Sequence, residues 1–347
     1  MDETGNWCQI ESDPAVFTEL IQRFGVRGLQ FDEIWSLDEE SWKDLGEIRG
    51  LIFLFKWEKT DEPMGVPLTQ AEAQVRNVFF AKQVIQNACG SLALVNLILN
   101  TSSEDVEIGK TLKDMKEFCV GFDPTMTGLT LTNCEEIRKI HNSFARQTVF
   151  EFEEKLFGKK EDVYHFVTYL PINGKVYELD GLRESPIDLG VCSSKEKWME
   201  TVVPILKERM RKYQNNEIHF SLMAAVPDKI MICEKKMADL QKKIADPKTT
   251  AQEKTRFSND LKSLKLAKSD EERRRAKFSL ENERRKHNYI PLLLNMLRML
   301  GTQTDLQPIY EKAKERAVQR EKRKQRVETV TSPSTEQVVK KAKKDEI

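Results

Sequence analysis

The stretch Tyr164-His165-Phe166-Val167-Thr168-Tyr169-Leu170-Pro171-Ile172-Asn173-Gly174-Lys175-Val176-Tyr177-Glu178-Leu179-Asp180 decides how this chain folds. Residues 164–170 and 175–180 both alternate in the manner of strands. Between them stands Asn173-Gly174, the strongest short signal for a two-residue hairpin loop. With that loop, Ile172 pairs with Lys175 and Asp180 lies opposite Val167. His165 then sits diagonally from Asp180 on the same sheet face, a separation of about 7–8 Å that side chains can bridge. A loop one residue longer or shorter would put the two on opposite faces.

An imidazole held by a carboxylate becomes a catalytic base once a nucleophile is within reach. The segment Gln83-Val84-Ile85-Gln86-Asn87-Ala88-Cys89-Gly90-Ser91 offers one. Cys89 immediately precedes Ser91–Asn100, where Leu92, Leu94, Val95, Leu97, Ile98 and Leu99 leave little polar face, so a helix buried in the core is expected. A free thiol has a pKa of about 8.5. At a helix N-terminus the backbone N–H groups, the helix dipole and a neighbouring imidazolium all favour the thiolate. Gly90 leaves room for a substrate backbone. The same N–H groups suit an oxyanion, with the Gln83 amide as a second donor. The bland alternatives are a structural cysteine, a strand histidine bonded to a carbonyl, and Asp180-Gly181 as an ordinary turn. His141, His219 and His287 have no cysteine or carboxylate at useful spacing. No metal-ligand pattern and no glycine-rich phosphate loop is present, so neither metal nor cofactor is expected.

Length and composition fit this picture. The 347 residues suggest two domains, 39% apolar residues suffice for a core, and the 32% charged fraction points to exposed helices or tails. Lysine plus arginine equals aspartate plus glutamate at 56 each, yet residues 1–60 carry 13 acidic against 6 basic side chains and residues 311–347 carry 12 basic against 7 acidic. An acidic front suits a basic partner and a basic tail an acidic one. No apolar run reaches the roughly 18 residues of a membrane span. The six cysteines are scattered without CxxC spacing, and Met1-Asp2-Glu3-Thr4 does not open like a signal peptide, so reduced thiols in the cytoplasm or nucleus are expected.

The composition changes near residue 227. Before it, short apolar segments alternate with turns, as in a mixed α/β domain: Ile52–Trp57 reads as a buried strand and Ile218–Val226 as a last strand ended by Pro227. After it the chain reads as helical. Ile230, Cys233, Met237, Leu240 and Ile244 form a helix-packing seam, and Thr250 with Glu253 offers a capping box for a second helix carrying Phe257, Leu261 and Leu264. Glu271–Lys286 is charged enough to be read as mostly solvated. Pro291 opens a short apolar helix, Leu292–Leu300, that Gly301 can end, and a basic helix follows from about Asp305. Three regions result: residues 1–227 catalytic, 228–310 helical, and 311–347 a basic, partly disordered tail.

At these residues the chain resembles the ubiquitin C-terminal hydrolases, in particular their long, proteasome-associated type. The likeness is carried by Trp7–Phe17, Phe24-Gly25-Val26, Gln83, Asn87-Ala88-Cys89-Gly90, His165-Phe166-Val167, Glu178-Leu179-Asp180-Gly181-Leu182 and Arg284–Pro291. The resemblance implies a knotted, papain-like α+β hydrolase fold followed by an all-α extension. It implies Cys89 as nucleophile, His165 as base, Asp180 as its orienter and Gln83 as oxyanion donor, with Asn87 and Gly90 against the substrate. It also implies a loop crossing over the site, here about Gln147–Tyr164 with Phe150, Phe152 and Phe157. The implied partners are ubiquitin and its conjugates, a ubiquitin-receptor subunit of the proteasome and, for nuclear members, a chromatin-remodelling complex; self-association is a further expectation. The polar segment Lys195–Lys212 has no role in this picture. Rival readings are another Cys-His-Asp acyl-transfer enzyme such as an amidase, a ubiquitin binder that does not cut, and nucleic-acid binding through the basic tail.

Overall fold

The computed structural model describes residues 7–56, 63–145, 164–192, 194, 197–213, 220–316 and 319. Asn173 and Gly174 take φ of 50° and 78°, as a two-residue loop with both residues left-handed requires. The strands it joins lie within one sheet of order β1-β7-β2-β4-β5-β6-β3, built from β1 (Leu29–Glu33), β2 (Gly50–Lys56), β3 (Val66–Pro67), β4 (Tyr164–Ile172), β5 (Lys175–Asp180), β6 (Ile187–Val191) and β7 (Ser221–Pro227). Every neighbouring pair is antiparallel, so the arrangement is α+β.

Helices cover both faces because the sheet is apolar on both. On one face pack α1 (Pro14–Arg23) and α4 (Cys89–Ile98), with Phe17, Leu20, Leu94 and Val95 against Ile52, Phe166 and Met223. Between these two helices in sequence lie α2 (Glu39–Lys43) and α3 (Gln70–Val75). After α4 come α5 (Lys110–Phe118), α6 (Pro124–Asn133) and α7 (Glu135–Asn142). The nine residues Gly90–Ile98 are all buried, as the apolar sequence of α4 demands. The other face is covered by α8 (Trp198–Tyr213). The Lys195–Lys212 segment is therefore not a featureless polar insert. Trp198, Met199, Val202 and Leu206 form a helical stripe against Phe53, Tyr169 and Val176.

Beyond β7, α9 (Lys229–Ala245) and α10 (Ala251–Lys286) form a helical hairpin, with the Thr250–Glu253 capping box in place. Glu271–Lys286 is mostly solvated, as expected, with Glu271 and Asn282 alone buried, but one face of it docks on the rest of the chain. Arg274 pairs with Asp32 at 2.6 Å, Arg275 with Asp228 at 2.8 Å, and Arg285 with Asp13 at 2.5 Å and Glu11 at 3.0 Å. Buried Asn282 donates to Ala15 O and to Glu19 Oε2. Burial works against the Asp32 carboxylate, but the bonds and charges of Lys229 and Arg274 outweigh it and hold its pKa below the ordinary range. Glu11, Asp13, Glu19 and Asp32 at the front of the chain thus meet a basic helix of the same chain. The compact units divide at 287/288, so α9 and α10, expected within an extension from 228, pack with the first unit. In the second unit, α11 (Ile290–Gln303) starts with Pro291 in its first turn; Gly301 lies inside this helix instead of ending it.

A short strap, Trp7–Ile10, crosses the start of α4. Nε2 of buried His141 lies 2.7 Å from Cys8 O and Nδ1 lies 2.7 Å from Ser91 Oγ. A carbonyl only accepts, so Nε2 carries the hydrogen and Nδ1 accepts from the serine hydroxyl. Trp7 packs edge-on to the ring at 4.6 Å. Asn87 Nδ2 donates to Trp7 O, and Asn142 Oδ1 accepts from Cys8 N. Ile10 fills the space beside Gly90, where a Cβ would stand 2.7 Å from Ile10 Cδ1.

Two outcomes are expected. Asn282→Ala should cost about 1–3 kcal/mol in urea unfolding, because the carbonyl of Ala15 loses a buried donor; an unchanged midpoint would contradict the docking of α10. Burial drives the His141 pKa down from 6.5 to about 4 against the bond to Cys8 O. A depressed folded pKa gives stability that is complete above the unfolded value and lost as pH falls through the folded one. Wild-type protein should therefore lose about 3 kcal/mol between the two values that His141→Gln does not lose. Parallel stability–pH curves for the two proteins would refute it.

Candidate active site

The hairpin register is the expected one: Ile172 faces Lys175, and Val167 faces Asp180. His165 lies two residues from Val167 on the same face, and its Nε2 is 2.6 Å from Asp180 Oδ1. Both side chains are almost fully buried. Asp180 Oδ1 also accepts from Leu182 N at 2.9 Å, which fixes the carboxylate, and Arg183 Nε lies 3.4 Å from Oδ2. With Nε2 engaged, Nδ1 is the ring nitrogen left for Cys89, which lies close enough to influence the His165 ring.

Burial pushes the His165 pKa down, but the bond to Asp180, the Asp180 charge and the neighbouring Cys89 override it and raise the value from 6.5 to about 9. Burial likewise penalises the Asp180 carboxylate, yet the bond to His165 and its charge keep its pKa below the ordinary range. At neutral pH the imidazole is therefore charged beside the thiol, the polarity that suits a thiolate. Cys89 is the first residue of α4, and no side chain caps that helix, so its first N–H groups are left without an intrahelical or side-chain acceptor beside the residue that carries the sulfur.

Gln83 stands next to the turn after β5, its N–H donating to Gly181 O at 2.7 Å. Its side-chain Nε2 donates to Ile85 O at 3.0 Å, and its Oε1 is buried without a protein partner. Two asparagines missed by sequence reasoning place this segment. Asn96 exchanges hydrogen bonds with both backbone groups of Ala81, and Asn100 with both of Phe79, so α4 holds residues 79–81 as a strand would. The available signal was their spacing of four in an otherwise apolar helix. From the opposite side Gly128 lies against Lys82 O, where a Cβ would stand 1.9 Å away. Of the two residues expected against substrate, Asn87 takes φ of 65° and holds the strap, and Gly90 is covered by Ile10. Phe150, Phe152 and Phe157 lie outside the described residues. Among the described residues, no group of His, Cys, Asp or Glu could hold a metal ion, and no helix is long and apolar enough to cross a membrane. All six cysteines are free.

A half-buried thiol, an imidazolium and an orienting carboxylate, set at the N-terminus of a buried helix, can carry out acyl transfer through a thioester. The family model described as ubiquitin carboxyl-terminal hydrolase, family 1, matches residues 7–211, and a second described as ubiquitin carboxyl-terminal hydrolases matches residues 265–306. The chain is 42% identical to ubiquitin carboxyl-terminal hydrolase ubh-4 of Caenorhabditis elegans, over 93% of this chain and 96% of that one. Isozyme L5 of Dictyostelium discoideum is 38% identical, over 92% and 99%. A crystal structure of Trichinella spiralis UCH37 bound to ubiquitin vinyl methyl ester superposes with a TM-score of 0.63 at 40% identity, covering 79% of this chain and all of that chain. The chain therefore belongs to the ubiquitin carboxyl-terminal hydrolase family and is a cysteine-type deubiquitinating enzyme.

Proposed function

We propose that this enzyme cleaves the bond after the C-terminal glycine of ubiquitin, with Cys89, His165 and Asp180 as its reacting triad. One observation carries the assignment: His165 binds Asp180 through Nε2 at 2.6 Å, which leaves Nδ1 for Cys89 at the start of α4. The crystal structure of the Trichinella enzyme bound to a ubiquitin electrophile supports the substrate. The Cys89 thiolate attacks the carbonyl carbon of the scissile amide. The N–H groups at the start of α4 receive the oxyanion, joined by the Gln83 amide once it leaves Ile85 O. The His165 imidazolium protonates the departing amine, and the neutral imidazole then activates the water that hydrolyses the thioester. Asn87, at φ of 65°, shapes the turn before Cys89, and Gly90 lets Ile10 of the strap pack against the first turn of α4.

Cys89→Ala should abolish hydrolysis of ubiquitin C-terminal amides while leaving ubiquitin affinity within a few-fold. His165→Ala should be nearly as damaging, and Asp180→Asn should retain weak turnover. Gln83→Ala should lower kcat by roughly 10²–10³-fold. Full activity in the Cys89 variant, or wild-type labelling by ubiquitin vinyl methyl ester at another residue, would refute the triad.

The helical region is assigned to docking, with residues 1–227 catalytic, 228–310 binding partners and 311–347 a basic tail. On α11, Leu292, Leu293, Leu294, Met296, Leu297, Met299 and Leu300 are all exposed. A helix so apolar is covered in use by a partner or a second copy. The partner assigned is a proteasomal ubiquitin receptor, with work in cytoplasm and nucleus and a chromatin-remodelling complex as a second assembly. A receptor docking domain should change kcat/KM of the full-length enzyme and not of one truncated after residue 227. Equal effects on both would reduce the extension to a tether.

A further inference from the structure

Helix α8 carries one guanidinium into the interior. Arg209 is 1% exposed; its Nη1 donates to Tyr169 Oη at 2.5 Å and its Nη2 to Glu178 Oε1 at 3.1 Å. Its plane lies 5.2 Å from the centre of the Phe55 ring. An arginine this buried is unusual unless its charge is matched. The sheet register explains what it meets. Tyr169 faces Glu178 across β4 and β5, Val167 faces Asp180, and Phe55 faces His165 across β2. Side chains alternate along a strand, so His165, Tyr169, Glu178 and Asp180 share the face that α8 covers. Arg183 completes the row, its Nε 3.6 Å from Glu178 Oε1 and 3.4 Å from Asp180 Oδ2. Charges of alternating sign therefore run Arg209, Glu178, Arg183, Asp180, His165.

We infer that Arg209 is a positioning residue for hydrolysis: by matching Glu178 it keeps Arg183 on Asp180, so that the carboxylate is presented to His165. This rests on the triad assigned above. Without Arg209, Glu178 has Arg183 as its remaining counter-charge in this row and competes with Asp180 for it. The surroundings of His165 gain one negative charge and the imidazolium is favoured. Without the Glu178 charge, two guanidinium groups face one carboxylate and the imidazolium is disfavoured. Among the described residues, the charged and titratable groups in this row and at its end are Cys89 from α4, Tyr169 from β4, Glu178 from β5, Arg183 from the turn after it and Arg209 from α8. Strand β2 brings the uncharged Phe55. Burial first, and then the Glu178 charge, holds the Tyr169 phenol well above its ordinary range, so it stays neutral where His165 titrates, about 9. Stability alone gives little reason for such a cluster, since buried ion pairs are often replaceable by apolar side chains at no cost.

The test is the pH profile of kcat/KM for a fluorogenic ubiquitin C-terminal amide, measured on the full chain. Wild type is compared with Arg209→Met, Arg209→Lys, Glu178→Gln and the double variant Glu178→Gln/Arg209→Met, with thermal melts to check folding. Methionine keeps an apolar stem against Phe55. The alkaline limb, set by His165, should move up by about 0.5–1 unit in Arg209→Met and down by a similar amount in Glu178→Gln. It should return close to wild type in the double variant. Arg209→Lys should keep the limb in place but lower kcat, because an ammonium cannot span Tyr169 and Glu178 as a fork does. KM should stay unchanged throughout. Coincident limbs in the folded variants, or shifts of the same sign in both single variants, would overturn the role of Arg209. If Arg209→Met does not fold, Glu178→Gln and Arg209→Lys decide by the same criteria. Labelling with ubiquitin vinyl methyl ester separates the two levels. Labelling at Cys89 with coincident limbs removes Arg209 alone, whereas labelling elsewhere removes the triad and the positioning role with it.

Discussion

The pairing of β4 with β5 is the constraint on which the site depends. A two-residue loop with both φ positive allows one register, and that register puts His165 and Asp180 on one face with a 2.6 Å bond between them. Strand geometry admits no intermediate, since a slip of one residue turns every side chain to the other face. The apolar pattern locks the same choice: Val167, Tyr169 and Val176 pack against α8, and Phe166 packs with α1 and α4. The carboxylate–imidazole pair is thus fixed by backbone hydrogen bonds and burial before any ionic attraction acts, and the attraction then raises the imidazole pKa.

The second half of the site is held by helix α4. Its apolar sides fix its depth in the core. Its polar side chains Asn96 and Ser91, with Asn100 just past its end, bond segments that would otherwise be loops: Asn96 and Asn100 hold residues 79–81, and Ser91 holds His141 and through it the strap. Each bond satisfies a backbone or ring group that burial would leave costly. Cys89, Gln83 and the strap are therefore referred to one rigid element.

The hairpin, α4 and the capping box at Thr250 were legible in the sequence because each is encoded by neighbours a few residues apart. Three features were not. The docking of Glu271–Lys286 depends on carboxylates some 240–270 residues away, such as Asp32 and Asp13; locally the segment is only a charged helix. The buried stripe of α8 is hidden among Glu, Lys and Arg residues, and Arg209 reads as one more surface charge until Glu178 is placed opposite it. Gly90 reads as open space beside a nucleophile, and only the path of the strap shows Ile10 filling it. In each case the missing information was which distant segment lies across the gap.

The helices after β7 show two ways of burying surface. The inner face of α10 is charged, and its arginines meet Asp13, Asp32 and Asp228, so its net gain over hydration is small for each pair. The surface of α11 is the opposite case: seven large apolar side chains in nine residues stand about half exposed, between 44% and 65%. At roughly 25 cal/mol per Å² of apolar area, covering them releases far more free energy than any one of the ion pairs. One chain thus combines a docking face whose strength falls with salt and an adhesive face whose strength does not, and the second is the one suited to capturing another protein.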